Sequence, residues 1–253
     1  MLEGQGMISL VGAGGKTSLM FKLAHEIFES GESVLTTTTT KIFMPRPQQS
    51  DCLIVSDSVE SIMKKAGDFL AKKKLHVTAA AAYAHPENKL SGLRPQDIDI
   101  ILKTALFRWV IVEADGAAGK PLKAPAGYEP IIPMSTKWLV GVVGLKSVGK
   151  ALSGEWVHRP EHFSAISGLG AGKKITEETI GTVLTHKKGT FKDAPTNALR
   201  IAFLNQADVP GGLAAGRQIA DLLIDKKKTG LKRVVIAQIL RKPSVLEYHE
   251  INN

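Results

Sequence analysis

The chain has 253 residues, 43% hydrophobic and 23% charged, with 24 glycines and a formal net charge of +9. This is ordinary globular composition, long enough for one large α/β domain or two small ones, and it argues against wholesale disorder. The single cysteine, Cys52, excludes an internal disulfide framework and a cysteine-based zinc or iron–sulfur centre, and no run of about 18 apolar residues marks a membrane span.

Met7–Val11 is a short apolar run rich in β-formers, followed by a glycine-rich turn. Leu19, Met20, Leu23, Ala24, Ile27 and Phe28 then recur at helical spacing and predict a helix over 17–29, stopped by Gly31. Val34–Thr38 reads as a second strand and Leu53–Val55 as a third; a helix follows over about 58–72, then a strand at Leu75–Ala80. Pro95 opens another helix. Trp109–Val112 is apolar throughout, the pattern of a parallel strand buried on both faces. After a Gly/Pro-rich loop at 115–133 come a strand at Trp138–Val143, a mostly helical section at 160–186, a strand at Ile201–Leu204, a helix over about 212–226 and a strand at Val234–Ala237. The alternation predicts an α/β fold, a doubly wound, mostly parallel sheet with right-handed crossovers. One domain over 1–253 is expected, with a helical insertion or subdomain at 160–198.

The basic residues fall in short scattered runs, Lys72–Lys74, Lys173–Lys174, Lys187–Lys188, Lys226–Lys228 and Lys232–Arg233. Solvated helix ends account for most of them better than a nucleic-acid surface, because no RNP-type motif or zinc-finger spacing accompanies them. Neither nucleic acid nor a membrane is an expected partner; the charge suits an anionic small molecule. The first residues, with Glu3 and no Lys or Arg before Lys16, do not make a secretory signal, so a reducing cytoplasm is the expected setting.

Gly12-Ala13-Gly14-Gly15-Lys16-Thr17-Ser18 follows a strand and opens a helix. A phosphate needs inward-pointing N–H groups, no Cβ in the way, a cation and the positive end of a helix. The glycines supply the first two, Lys16 the charge and Thr17 a hydroxyl for Mg²⁺. Leu10 stands where the full P-loop pattern has its first glycine. A dinucleotide pattern fits Gly12 and Gly14 but meets Thr17 in place of its last glycine, so the P-loop reading is preferred; the plain alternative is a glycine-rich turn with a lysine beside it.

Val110–Val112 ends in Glu113-Ala114-Asp115, two acids of which either can hold Mg²⁺, the alternative being solvated acids at a strand end. Lys120 and Lys123, in the loop beyond, can meet a phosphate or an acidic substrate, or be ordinary loop lysines. Asn205-Gln206-Ala207-Asp208 resembles the N-K-x-D base-reading motif with glutamine in place of lysine, which points to guanine; otherwise it is a turn of polar residues. His158 and His162 are four apart with Pro160 between them, a helix start rather than a metal pair.

Glu113-x-x-Gly116 together with Asn205-x-x-Asp208 resembles the metallochaperone-type GTPases of the SIMIBI class. V-G-A-G-G-K-T, the T-T-T-T-K-I-F-x-P run at 37–45, V-E-A-D-G-A at 112–117, V-H-R-P-E at 157–161 and L-N-Q-A-D together resemble the YqeC family over roughly residues 7 to 240. That family is described as accessory proteins of selenium-dependent molybdenum hydroxylases. The resemblance implies a P-loop NTPase fold, Mg²⁺ with GTP or ATP, and a molybdenum or selenium enzyme or a cofactor-maturation protein as partner. In such proteins a segment like Thr36–Lys41 senses the γ-phosphate and Mg²⁺, with Thr39 as a candidate catalytic residue and Lys41 as a candidate substrate contact; otherwise the threonines are β-formers. Three functions remain open: an Mg²⁺-dependent NTPase, with Lys16, Glu113 and Asp115 at its centre; a small-molecule kinase or ligase; and a non-catalytic nucleotide-binding scaffold.

Overall fold

The computed structural model describes residues 4–251 except 74, 87 and 227–228. Glu3, Lys74, Lys227 and Lys228 lie outside the described residues. In chain order the elements are β1 (Gly6–Gly12), α1 (Lys16–Glu29), β2 (Val34–Thr38), β3 (Lys41–Phe43), β4 (Cys52–Val55), α2 (Val59–Leu70), β5 (His76–Ala80), β6 (Ala82–Ala84), β7 (Lys89–Ser91) and α3 (Pro95–Lys103). They continue with β8 (Trp109–Glu113), β9 (Leu122–Lys123), β10 (Thr136–Gly144), β11 (Val157–His158), α4 (Pro160–Ser167), α5 (Glu177–Thr185), β12 (Leu199–Asn205), α6 (Gly212–Asp225), β13 (Leu231–Ala237) and β14 (Val245–Glu250).

Nine strands form one sheet in the order β14-β13-β12-β10-β1-β8-β2-β5-β4. All neighbours are parallel except β13 and β14. Period-two alternation sends Ile8 and Leu10 of β1 to one face, where they pack with Leu19, Met20 and Ala24 of α1. Met7 and Val11 face the other way, toward α2 and α3 on one side and α4, α5 and α6 on the other. Helices therefore cover both faces of a mostly parallel α/β sheet, as the alternation of elements predicts. Helices α4 and α5 share a single apolar cluster with β10, β12 and α6.

The local signals are physical. Ser58 caps α2 by accepting the Ser61 N–H at 3.2 Å, Pro95 stands at the first position of α3, and Thr176 and Thr179 cap α5 reciprocally. Strand β2 is buried despite its threonines because their hydroxyls are satisfied: Thr36 by Thr78 at 2.8 Å, Thr37 by the Ala79 carbonyl at 2.8 Å, Thr38 by the Glu113 carbonyl at 2.7 Å. Lys72 and Lys73 follow α2, Lys187 and Lys188 follow α5, and Lys226 caps α6, whereas Lys232–Arg233 lies within β13.

Strands β3, β6 and β7 form a separate three-stranded antiparallel sheet, and β9 pairs with β11. These and β14 lie outside the predicted elements. At two or three residues the small strands are too short to display a period of two; β14 is a half-exposed edge whose sequence, VLEYHE, carries little apolar signal. The chain runs from β1 to one side of the sheet, returns to insert β8 between β1 and β2, and then crosses to β10 on the other side. The order reverses beside β1, which opens a crevice at the carboxyl ends of β1, β8 and β10. Among the described residues no helix is long and apolar enough to cross a membrane.

Candidate functional site

Strand β1 delivers the chain into the crevice at Gly12, and α1 begins four residues later at Lys16. Gly12, Gly14 and Gly15 take φ of 90°, 92° and 127°, where a Cβ is strained. Space forbids one as well: a Cβ on Gly12 would meet the Val142 carbonyl at 2.3 Å, one on Gly14 the Gly144 nitrogen at 2.3 Å, and one on Gly15 the Asn205 amide at 2.5 Å. The loop is tied down by Ala13 N–H to Val142 O at 2.8 Å and Gly14 N–H to Lys120 O at 3.1 Å. Helix α1 has no side-chain cap, and its first internal bond runs from Leu19 N–H to Gly15 O at 2.9 Å. The N–H groups of Lys16, Thr17 and Ser18 therefore have no partner among the described residues and lie at the positive end of the helix.

The register places the acids. Leu10 of β1 and Thr38 of β2 flank Glu113 on β8, so the carboxylate emerges beside the loop. The Lys16 ammonium lies 3.0 Å from Asp115 Oδ1 and 3.6 Å from Glu113 Oε1, and it donates to the Gly12 carbonyl at 2.6 Å. Asp115 Oδ1 faces that ammonium without an aligned hydrogen bond, while Oδ2 accepts the Gly12 N–H at 3.0 Å. Glu113 Oε2 accepts the Thr17 hydroxyl at 2.7 Å. Burial works against the Lys16 charge, but Asp115 and Glu113 outweigh it and raise its pKa. Burial also dominates at Glu113 and raises its pKa against the pull of Lys16 and Thr17.

A second tier of charges lies behind the first. The Lys123 ammonium is buried and bonded to Asp115 Oδ2 at 2.9 Å, Glu129 Oε2 at 2.8 Å and the Gly116 carbonyl at 2.6 Å. Glu129 also pairs with Arg159, whose other Nη donates to the Tyr128 hydroxyl at 2.9 Å. Burial opposes the Glu129 charge, but bonds from Lys123 and Arg159 hold its pKa below the ordinary carboxylate value.

Together these elements wall a cavity of about 1120 Å³. Its lining includes Gly14–Ser18, Thr39–Phe43, Lys120 and His158–Arg159. Thr39 reaches the cavity, but its hydroxyl is donated to the Ile131 carbonyl at 2.7 Å. Lys41 is exposed and lines the cavity; Lys123 is spent on its two carboxylates and does not line it. Asn205 lies next to the loop and not in the cavity: its Nδ2 donates to Gly14 O at 2.8 Å and its Oδ1 accepts the Ile239 N–H at 3.0 Å. Asp208 is exposed, 3.6 Å from the Arg241 guanidinium, and also lies outside the lining. His158 lines the cavity, whereas His162 does not. Among the described residues no group of three or more His, Cys, Asp or Glu is placed to hold a metal ion.

Lining residues that the sequence reading leaves without a role include Glu129, Arg159, Phe43 and Lys89, and His158 and Gln206 line the cavity as well. Gln206 has φ of 68°, and its buried Oε1 has no partner. Arg159 belongs to the V-H-R-P-E segment, which is where a signal lay, and its link to Glu129 spans 30 residues.

Two comparisons with known proteins bear on this site. A family model described as YqeC protein matches residues 8–161, a segment that contains every member of the ion network from Lys16 to Arg159. A curated relative from Escherichia coli (strain K12), described as uncharacterized protein YqeC, is 34% identical over 205 residues, covering 79% of this chain and 75% of the relative.

Proposed function

The chain belongs to the YqeC family, and on that footing we propose that it is a Mg²⁺-dependent P-loop protein that binds and hydrolyses a nucleoside triphosphate, GTP or ATP. The observation that carries the reading is the buried Lys16 ammonium at the N-terminus of α1, beside three unpartnered N–H groups and a Thr17–Glu113 oxygen pair. Strand β8 between β1 and β2 puts an acid beside the glycine loop, which a phosphate-and-metal site requires.

In this reading the N–H groups of Lys16, Thr17 and Ser18 receive phosphate oxygens, and Lys16 turns from Gly12 O and Asp115 toward them. Asp115 and Lys123 keep the vacated charge compensated. Thr17 and Glu113 are the residues that would hold Mg²⁺: both offer hard oxygen donors, and a cation relieves the burial that raises the Glu113 pKa. Mg²⁺ takes one or two carboxylates plus phosphates and waters, so a cluster of three acidic ligands is not required. The ion, when bound, neutralises phosphate charge. With Glu113 assigned to Mg²⁺ and Glu129 held by Lys123 and Arg159, neither acid is assigned as a base for water, and turnover is expected to be slow without a partner, as in switch-type NTPases.

The family resemblance supports the wider role, a cytoplasmic accessory in maturation of a selenium- or molybdenum-containing hydroxylase or its cofactor, with that enzyme or a maturation protein as partner. The size of the cavity favours a second reading, transfer of the phosphoryl group to another small molecule. Hydrolysis of GTP and ATP with and without Mg²⁺ tests the proposal: Mg²⁺-dependent release of phosphate that Lys16→Ala abolishes is the expected result, and equal release by the variant would overturn it.

A further inference from the structure

The cavity, about 1120 Å³, stands at the upper end of the roughly 300–1,000 Å³ of a drug-sized ligand pocket, and its lining extends beyond the phosphate loop to β3, β7 and His158–Arg159. We propose that the part of the cavity lined by His158, Arg159 and residues of β3 and β7 is a separate site for a second small molecule, an organic oxyanion bearing a phosphate or carboxylate and gripped by Arg159. The proposal rests on the nucleotide reading of the phosphate loop.

Arg159 is built for this task. It stands at the start of α4 with φ of 61°, a left-handed conformation that a residue with a β-carbon adopts only where its surroundings impose it. Glu129 holds one end of the guanidinium, Tyr128 holds the other, and the Tyr128 ring lies 5.4 Å from the guanidinium carbon. Glu129 is itself immobilised by buried Lys123. The planar fork is thus fixed before any ligand arrives, while most of its five donors remain uncommitted among the described residues. A preorganised guanidinium lining a cavity is the group that a planar oxyanion needs.

The neighbours fit the same ligand. His158 lines the cavity beside Arg159; its own burial, then Arg159 and Lys123, lower its pKa, so it is a neutral donor–acceptor at physiological pH. Lys41 and Lys89 bring positive charge from β3 and β7, and the Lys89 ammonium lies 5.2 Å from the Phe43 ring centroid. Phe43 lines the cavity and is 65% exposed, a flat apolar surface for the body of an organic ligand.

The test uses the full chain saturated with Mg²⁺ and a non-hydrolysable triphosphate analogue, so that the phosphate loop is filled, and inorganic phosphate as the probe in equilibrium dialysis. The wild type is expected to bind one further phosphate. Arg159→Gln is expected to weaken that binding at least tenfold, and by a larger factor than it weakens binding of the analogue. His158→Gln, which leaves the Glu129–Arg159 pair intact and covers the case in which Arg159→Gln does not fold, is expected to weaken it by a smaller factor. No phosphate bound to the loaded wild type, or equal binding by both variants, overturns the second site. Failure of the analogue to bind the wild type defeats the nucleotide reading instead. The probe is then titrated into the free protein: loss in Arg159→Gln with retention in Lys16→Ala supports the site, and the reverse overturns it.

Discussion

Lys16 and Asp115 form a buried ion pair, Nζ to Oδ1 at 3.0 Å, while the other acid of the same strand end, Glu113, stands off at 3.6 Å and takes the Thr17 hydroxyl instead. The two carboxylates, interchangeable in the sequence, therefore do different work. Asp115 compensates Lys16, Lys123 and the Gly12 N–H; Glu113 is the under-compensated acid that faces the cavity.

Asp115→Asn leaves two buried ammonium groups short of a counter-charge. Breaking a buried pair in this way costs about 3–5 kcal/mol, and urea unfolding followed by far-UV circular dichroism is expected to show a loss of that order. A loss below about 1 kcal/mol would mean that the network is solvated and not the support of the loop.

Glu113→Gln keeps an acceptor for Thr17 and removes a charge that burial already disfavours, so its unfolding midpoint is expected to stay close to that of the wild type. What it is expected to lose is the effect of Mg²⁺ on nucleotide binding. Nucleotide affinity measured with and without Mg²⁺ should converge in the variant and differ in the wild type; a preserved Mg²⁺ effect would assign the ion to another acid.

Both ends of the Asn205 amide are engaged, by Gly14 O and the Ile239 N–H, so the side chain braces the loop. Asn205→Ala strands both groups and is expected to cost about 1–3 kcal/mol of stability. It should lower GTP and ATP affinity by the same factor. A selective loss of GTP would instead make Asn205 a base reader.

Much of this site was legible because its signals are local. The glycine–lysine–threonine turn is contiguous, and the acids end an all-apolar strand, Trp109–Val112, that the sheet buries completely. The division between Glu113 and Asp115 was not legible, since it depends on Lys123 folding back from a loop that shows no periodicity. Arg159 and Glu129 meet across 30 residues through a left-handed backbone turn that no spacing rule encodes. The wall formed by β3 and β7 consists of three-residue strands, too short for alternation to register. Asn205 was visible as a motif residue, but its partner became evident only when β12 and the loop were placed side by side.

His76 offers a pH signature remote from the cavity lining. Burial first, offset in part by Asp51, lowers its pKa from 6.5 to about 4, and Thr36 bonds its Nε2 at 2.9 Å. The unfolded chain binds the proton more tightly, so the stability held above pH 6.5 is lost as the pH falls toward 4. The full shift corresponds to about 3 kcal/mol. His76→Gln is expected to flatten the decline in melting temperature over that window; an unchanged slope would mean that the imidazole is solvated in the native state.

The account stands on Lys16 as a phosphate ligand, and calorimetric titration of the wild type and Lys16→Ala with GTP and ATP in Mg²⁺ measures this directly. Loss of one charge-assisted contact is worth about 1.5–3 kcal/mol. The account therefore predicts that the wild type binds at least one of the two nucleotides, and that a variant with native circular dichroism binds it at least tenfold more weakly. Equal affinity in the folded variant, or no binding of either nucleotide by the wild type, would contradict it.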